Sequence, residues 1–358
     1  MTKLQLRRIW FQVHKWIGLI LAVLIIPLSL SGALLVWDRP VDRLLNPARY
    51  AVSGGALLPP HAYVDAARAV LQPGQSIVSL AYPEGGGPIL LQASVPGAPH
   101  RAGPPSRISI WLDPPTARVL DVADSGTGVL RVMHRLHGSL MVPGVGRKIV
   151  GWIGVAMMLS CFTGLWLWWP TVGSWLKGLR WRRHRNLDTN LHHLMGFWIA
   201  LPLFVLSLTG AWISFPGLFG GGRPAGPPGR GGGQPIATPA QSPDAIAAAA
   251  ARAGGTVRTI TWPTAGADPS WRVMLADRTL TIGDRDGAIT AAPNRPHGGP
   301  GLAGIMRRIH DGEGMGPVWQ AIIFIGGILP AALAVTGVIM WWRARGWRAA
   351  VAARKRPA

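Results

Sequence analysis

The residues best suited to chemistry in this chain are histidines. There are ten, and six sit where long apolar runs begin. His14 precedes the first run, His134 and His137 the second, His192 and His193 the third, and His310 the fourth. An isolated histidine at such a place is an interfacial anchor. Two histidines facing each other on neighbouring helices are what a six-coordinate b-type haem requires, since the ring supplies four nitrogens and the protein two axial ligands. The single cysteine, Cys161, lies inside the second run, and no C-x-x-C-H motif exists, so any haem is bound non-covalently. Two histidines without cysteine make a poor structural zinc site. A His/carboxylate iron or copper site using His310, Asp311 and Glu313 is a weak pattern, and a solvated turn explains those two acids as well.

The elements that must position these histidines are four runs, Ile17–Trp37, Ile149–Trp169, Leu194–Phe215 and Val318–Trp342, none containing Asp, Glu, Lys or Arg. Each reaches the roughly 20 residues a helix needs to cross a bilayer, and in lipid such a run must be helical to satisfy its own backbone. Pro27, Pro202 and Pro330 interrupt three of them and predict kinks. The formal charge of +21 could suggest nucleic acid. Its placement in the N-terminal tail, the loop after the second run and the C-terminal tail follows the positive-inside rule instead, with both termini cytoplasmic. The first run is too long for a signal-peptide core, so it reads as an uncleaved helix. Most boundary tryptophans fit an aromatic belt; Trp166 or Trp212 is a candidate to pack on a haem.

The chain also repeats itself. HKWIGLILAVLIIPLSLSGALLVW from His14 aligns with HHLMGFWIALPLFVLSLTGAWISF from His192, and the segment from His137 aligns without a gap with that from His310. Thr163-Gly164 then meets Thr336-Gly337, and Ser31-Gly32 meets Thr209-Gly210. Both copies keep one orientation, so the fold class is a four-helix membrane protein built as a parallel two-fold internal repeat. The symmetry pairs His14 with His192 on the cytoplasmic side and His137 with His310 on the other, with about 35 Å from His14 to the external end of its helix. The glycines serve close helix packing, room for a flat cofactor, or both.

Each half carries an external α+β segment. The first reads as a helix at Pro59–Leu71 and strands at Ser76–Tyr82, Ile89–Val95, Arg107–Leu112 and Arg118–Val122. The second reads as a helix at Ser242–Ala253 and strands at Thr256–Trp262, Trp271–Ala276, Thr279–Ile282 and Ala288–Ala292. Gly217–Pro239 is a flexible linker and Pro96–Pro105 an exposed loop. The division is a tail (1–16), helix 1 (17–37), module 1 (38–136), helix 2 with its lead-in (137–169), a basic loop (170–191), helix 3 (192–215), a Gly/Pro-rich linker (216–241), module 2 (242–309), helix 4 with its lead-in (310–342) and a basic tail (343–358).

H-K-W-I-G-L, R-L-H-G-S-L, T-G-L-W-L-W-W, L-H-H-L-M-G, R-I-H-D-G-E-G-M-G and T-G-V-I-M-W-W, together spanning nearly the whole chain, resemble the PepSY-associated transmembrane family. The resemblance implies two PepSY-like periplasmic modules and a bacterial inner-membrane location. It also implies two non-covalent haems b and a ferric-siderophore reductase that delivers electrons to a periplasmic ferric complex. Carried over, the axial ligands are His14, His192, His137 and His310, with His134 and His193 as alternatives. The electron donor is a cytoplasmic reductase or quinol, since no G-x-G-x-x-G after a strand and no P-loop provides a nucleotide site. Competing readings are a b-type cytochrome exchanging electrons with quinone or another redox protein, and a non-enzymatic PepSY binding or sensing protein. A transporter is disfavoured by spans without charge.

Overall fold

A computed structural model of the chain describes residues 2–83, 85–95, 107–172, 180, 184–218, 233–293 and 301–354. The Pro96–Pro105 loop, most of the Gly217–Pro239 linker, and Lys177, Arg182, Arg183, Lys355 and Arg356 lie outside the described residues. The helices are α1 (Lys3–Val36), α2 (Asp38–Leu45), α3 (Pro60–Arg68), α4 (Val129–Ser139), α5 (Gly146–Val172), α6 (Leu187–Ser214), α7 (Pro243–Arg252), α8 (Gly301–Asp311) and α9 (Gly316–Arg354). The chain forms two compact units, one of residues 1–38, 132–222 and 297–358, the other of residues 39–131 and 223–296.

The first unit is helical. α1, α5, α6 and α9 are each long and apolar enough to cross a membrane, so this is a multi-pass membrane protein. α1 begins at Lys3, well ahead of the apolar run at Ile17, because Thr2 and Gln5 form a reciprocal capping box. Pro27, Pro202 and Pro330 lie inside continuous helices. The most extensive packing joins α5 to α6 and α1 to α9; α6 also packs on α9 and α1 on α5. The helices therefore form a ring in which α1 and α6 are diagonal. Glycines permit these contacts: a Cβ on Gly327 of α9 would stand 2.6 Å from the Ala33 Cβ of α1.

The segments before α5 and α9, which the sequence marks only as lead-ins, are helices in their own right. α4 ends in a sharp reversal in which Leu140 and Met141 take φ of 49° and 59°. α8 ends in the equivalent reversal with Gly312, Gly314 and Gly316 at positive φ. Glycine adopts this region freely, whereas leucine and methionine are strained there.

The second unit is an antiparallel sheet of eight strands: β1 (Ile77–Ala81), β2 (Ile89–Ser94), β3 (Arg107–Leu112), β4 (Val119–Asp124), β5 (Val257–Thr261), β6 (Ser270–Leu275), β7 (Arg278–Gly283) and β8 (Ile289–Pro293). Their order is β4-β3-β2-β1-β5-β6-β7-β8. The sequence reads as two separate modules. The structure joins their meanders edge to edge, with Leu80 of β1 opposite Ile260 of β5. Pairing these two strands removes two exposed edges. It also makes one core, in which Tyr63 of α3 and Ile246 of α7 pack with Leu80, Ile110, Ile260, Trp271 and Ile282. α7 starts at a capping Ser242, whose hydroxyl accepts from the Ala245 N–H, with proline at its first turn.

Two buried carboxylates tie preceding loops to this sheet. Asp284 accepts from the Ala240 and Gln241 N–H groups and from Trp271 Nε1. Asp113 accepts from the Ser53 N–H and hydroxyl and the Thr116 hydroxyl. Burial alone raises the Asp113 pKa, but those three donors outweigh it and hold the carboxyl below its usual range. A depressed folded-state pKa stabilises the fold above the unfolded value and loses that stability as pH falls through the folded one. Asp113→Ala should cost about 3 kcal/mol by stranding buried donors, read as a lower thermal midpoint of the sheet. Acidification should narrow the gap between wild type and Asp113→Asn; a constant gap across the carboxylate range contradicts this role.

Candidate functional site

Within the helical unit the structure brings the four aligned histidines together in two pairs. His14 of α1 and His192 of α6 face each other across the ring diagonal, with ring centroids 6.4 Å apart and planes at 85°. His137 of α4 and His310 of α8 stand 5.9 Å apart with planes at 34°. A metal held between two imidazole nitrogens lies about 2 Å from each. Allowing roughly 1 Å from each nitrogen to its ring centre, the centroids of such a pair stand about 6 Å apart. Both pairs have this spacing.

The hydrogen bonds around each ring fix its chemistry. His14 Nδ1 lies 3.0 Å from Thr163 Oγ1, His192 Nδ1 3.0 Å from Thr336 Oγ1, and His310 Nδ1 3.0 Å from Thr209 Oγ1. Each threonine donates its one hydroxyl proton backwards along its own helix, to the Leu159, Ala332 and Val205 carbonyls at 2.8, 2.8 and 2.9 Å. With that proton so placed, the hydroxyl accepts from the histidine, which assigns the proton to Nδ1. His137 reaches the same state by donating from Nδ1 to the Leu28 carbonyl at 2.8 Å. The position equivalent to Thr209 is Ser31 here, and its hydroxyl bonds to that same carbonyl. In the neutral ring each Nε2 then keeps a lone pair, and none of the four makes a hydrogen bond among the described residues. A ligating histidine oriented through its other nitrogen has this arrangement.

Each ring also lies against the glycine that follows the hydroxyl residue. A Cβ added at Gly32 would meet His137 Cε1 at 2.6 Å, at Gly164 His14 Cε1 at 3.0 Å, at Gly210 His310 Cε1 at 3.0 Å, and at Gly337 His192 Cε1 at 3.4 Å. The glycines thus make room for the imidazoles themselves. The second pair also lies deeper than the sequence suggests. Leu28 is fourteen residues beyond His14 and eight short of the end of α1, and Leu206, which also accepts from His310 Nδ1, is fourteen beyond His192. Fourteen residues of helix span about 21 Å. α4 and α8 fold back so that their histidines reach into the bundle rather than staying at its rim.

A mostly apolar cavity of about 710 Å³ surrounds the first pair, within the range of small-molecule and cofactor sites. Gly18, Gly164, Gly196, Gly337, Phe197 and Trp168 help to line it. Trp168, which the sequence assigns to the aromatic belt, is buried and stacks on Phe197 at 4.4 Å. Trp166 is 46% exposed and stacks on Phe162 instead. His193 also lines the cavity, but its nearest ring partner is His184, at 4.8 Å. His134 is exposed. Asp311 pairs with Arg307 at 3.4 Å, and no three His, Cys, Asp or Glu side chains converge as a metal site among the described residues.

A sequence profile of the PepSY-associated TM region matches residues 11–344. The chain belongs to the PepSY-associated transmembrane family. That match spans both histidine pairs and their threonine and glycine partners. An uncharacterized protein of Pseudomonas aeruginosa is 36% identical over 85 residues, and the chain covers 21% of that relative's length and 23% of its own in this match.

Sequence reasoning singled out the four histidines that the structure pairs and missed the threonines as their partners. The signal was present, because the Ser/Thr-Gly pair repeats at a fixed spacing from each histidine. It reads as a packing motif until the ring is seen to rest on it. His184 carried no such signal. The glycine geometry predicts a graded series. Gly32→Ala should destabilise most, by about 2 kcal/mol through overpacking, Gly164→Ala and Gly210→Ala less, and Gly337→Ala least. Thermal midpoints in detergent check the order, and equal midpoints across the series would overturn it.

Proposed function

We propose that this protein is a di-haem b-type electron-transfer protein that reduces ferric-siderophore complexes to release ferrous iron. The observation that carries the reading is the two histidine pairs, each at metal-bridging spacing and each with its protons committed to Nδ1. His14 and His192 would hold one haem and His137 and His310 the other. The donor set suits haem, because each site offers two axial imidazoles and the macrocycle provides the remaining ligands. Haem bound there supplies reversible one-electron chemistry.

The protein's own contribution is placement. The threonine and carbonyl acceptors orient the rings, the glycines let them approach, and the mostly apolar cavity around the first pair gives a flat cofactor room. Equal fourteen-residue spacings on α1 and α6, and a strand order symmetric about the β1–β5 pair, support a parallel two-fold repeat. The basic loop and tails support cytoplasmic termini, and on this reading the first pair lies towards the cytoplasm and the second towards the periplasm of a bacterial inner membrane. One electron delivered at the outer pair converts a ferric chelate to a ferrous one. Hard oxygen donors hold ferrous iron less tightly, and the metal is released.

Protein purified in detergent should show a Soret band corresponding to two haems per chain. His310→Ala and His14→Ala should each remove one haem and leave the other. Dithionite-reduced protein should reoxidise on adding a ferric siderophore, with ferrous iron trapped by a chromogenic chelator. Absence of a Soret band would sink the reading. Reoxidation by a quinone but not by ferric chelates would replace the substrate with a quinone.

A further inference from the structure

The cavity around His14 and His192 is apolar except at one end, where its lining includes Arg7, Arg8 and Lys15. No Asp or Glu among the described residues lines it. Three cations at the mouth of an apolar space, one of them, Lys15, donating to Gln12 Oε1, favour an anionic ligand there.

Arg7 is the best placed of the three. It stands seven residues before His14 on α1, two turns along the same face, with Phe11 between them. That is about 10 Å along the helix axis, comparable to the reach from a haem iron to its propionate carboxylates. Its guanidinium is anchored, with Nη2 donating to the Leu167 carbonyl at 3.1 Å. Leu167 sits on α5, three residues past the glycine against which the His14 ring rests. A guanidinium is a rigid fork of five donors, so one held by a backbone carbonyl can also grip a carboxylate. Lys15 follows His14 directly and lies 4.7 Å from the Trp16 ring centre.

We propose that Arg7, with Arg8 and Lys15 at the same mouth, is a carboxylate-binding site for the two propionates of the cofactor held by His14 and His192. This rests on the haem reading above and adds an orientation to it. The acid edge of the macrocycle faces the N-terminal end of α1, and the apolar edge faces Gly18, Leu21 and Ile25. Arg7 is here a cofactor-binding residue that does not touch the iron.

The test uses the full-length holoprotein in detergent and reads haem retention and midpoint potential. Haem transfer to excess apomyoglobin should be about tenfold faster from the first site in Arg7→Gln, the loss of one charge-assisted hydrogen bond. The midpoint potential of that haem should fall, because a nearby cation stabilises the reduced, more negative state. Arg7→Lys should restore most of both. The haem at His137 and His310 should be unchanged, which shows that the variant is folded. Reconstitution with haem dimethyl ester separates propionate binding from a surface that merely attracts anionic lipid: the wild type should favour free haem over the ester, and Arg7→Gln should lose that preference. Wild-type retention and potential in Arg7→Gln, or no preference in the wild type, overturns this site while leaving the histidine pairs standing. Protein without haem at His14 and His192 overturns both.

Discussion

The helical unit depends on where four protons sit. Three threonine hydroxyls give their protons to carbonyls of their own helices and so have only lone pairs to offer. The histidines opposite must donate from Nδ1, and the fourth does so to a backbone carbonyl. A neutral imidazole of fixed tautomer in a fixed plane is a ligand prepared in advance. Without the lock, each ring could turn and trade its proton between nitrogens, and a pair at ligand spacing would have no defined chemistry.

The architecture of the bundle follows from presenting those rings in pairs. α1 and α6 lie on a diagonal, so His14 and His192 meet across the ring while each rests on a neighbouring helix. The second pair comes from short helices, α4 and α8, which must bend back to enter the bundle. Their reversals carry the unusual backbone: glycines after α8, and Leu140 and Met141 after α4. Strain of this kind persists where the surrounding structure requires it. Glycine beside each hydroxyl residue completes the arrangement, since even a methyl group there would collide with or crowd the imidazole.

Much of this was legible in the sequence, for identifiable reasons. Runs of twenty apolar residues admit one structure in lipid, so all four spanning helices could be located, although α1 starts at Lys3, ahead of its run, and α9 continues to Arg354, beyond its run. Alternation in the strands placed Ile89–Ser94 and Arg107–Leu112 to within a residue. Aligning the two halves picked His14, His137, His192 and His310 out of six candidates, and these are the ones the structure pairs. The union of two meanders through β1 and β5 was not legible, because each strand pattern is satisfied equally by an edge or a partner. α4 and α8 were missed because short amphipathic helices beside a strong hydrophobic run look like its flank. The role of Thr163, Thr209 and Thr336 was missed because a hydroxyl inside a spanning helix already has a partner in its own backbone.

The most direct test of the central claim is low-temperature electron paramagnetic resonance of the oxidised protein. With haem held at both pairs, ring planes near 85° would leave two iron orbitals almost degenerate and give a highly anisotropic low-spin signal. Planes at 34° would give an ordinary rhombic one. The account predicts both signals in equal amounts, the first lost in His192→Ala and the second in His137→Ala. A high-spin spectrum, or no ferric haem signal at all, would contradict it.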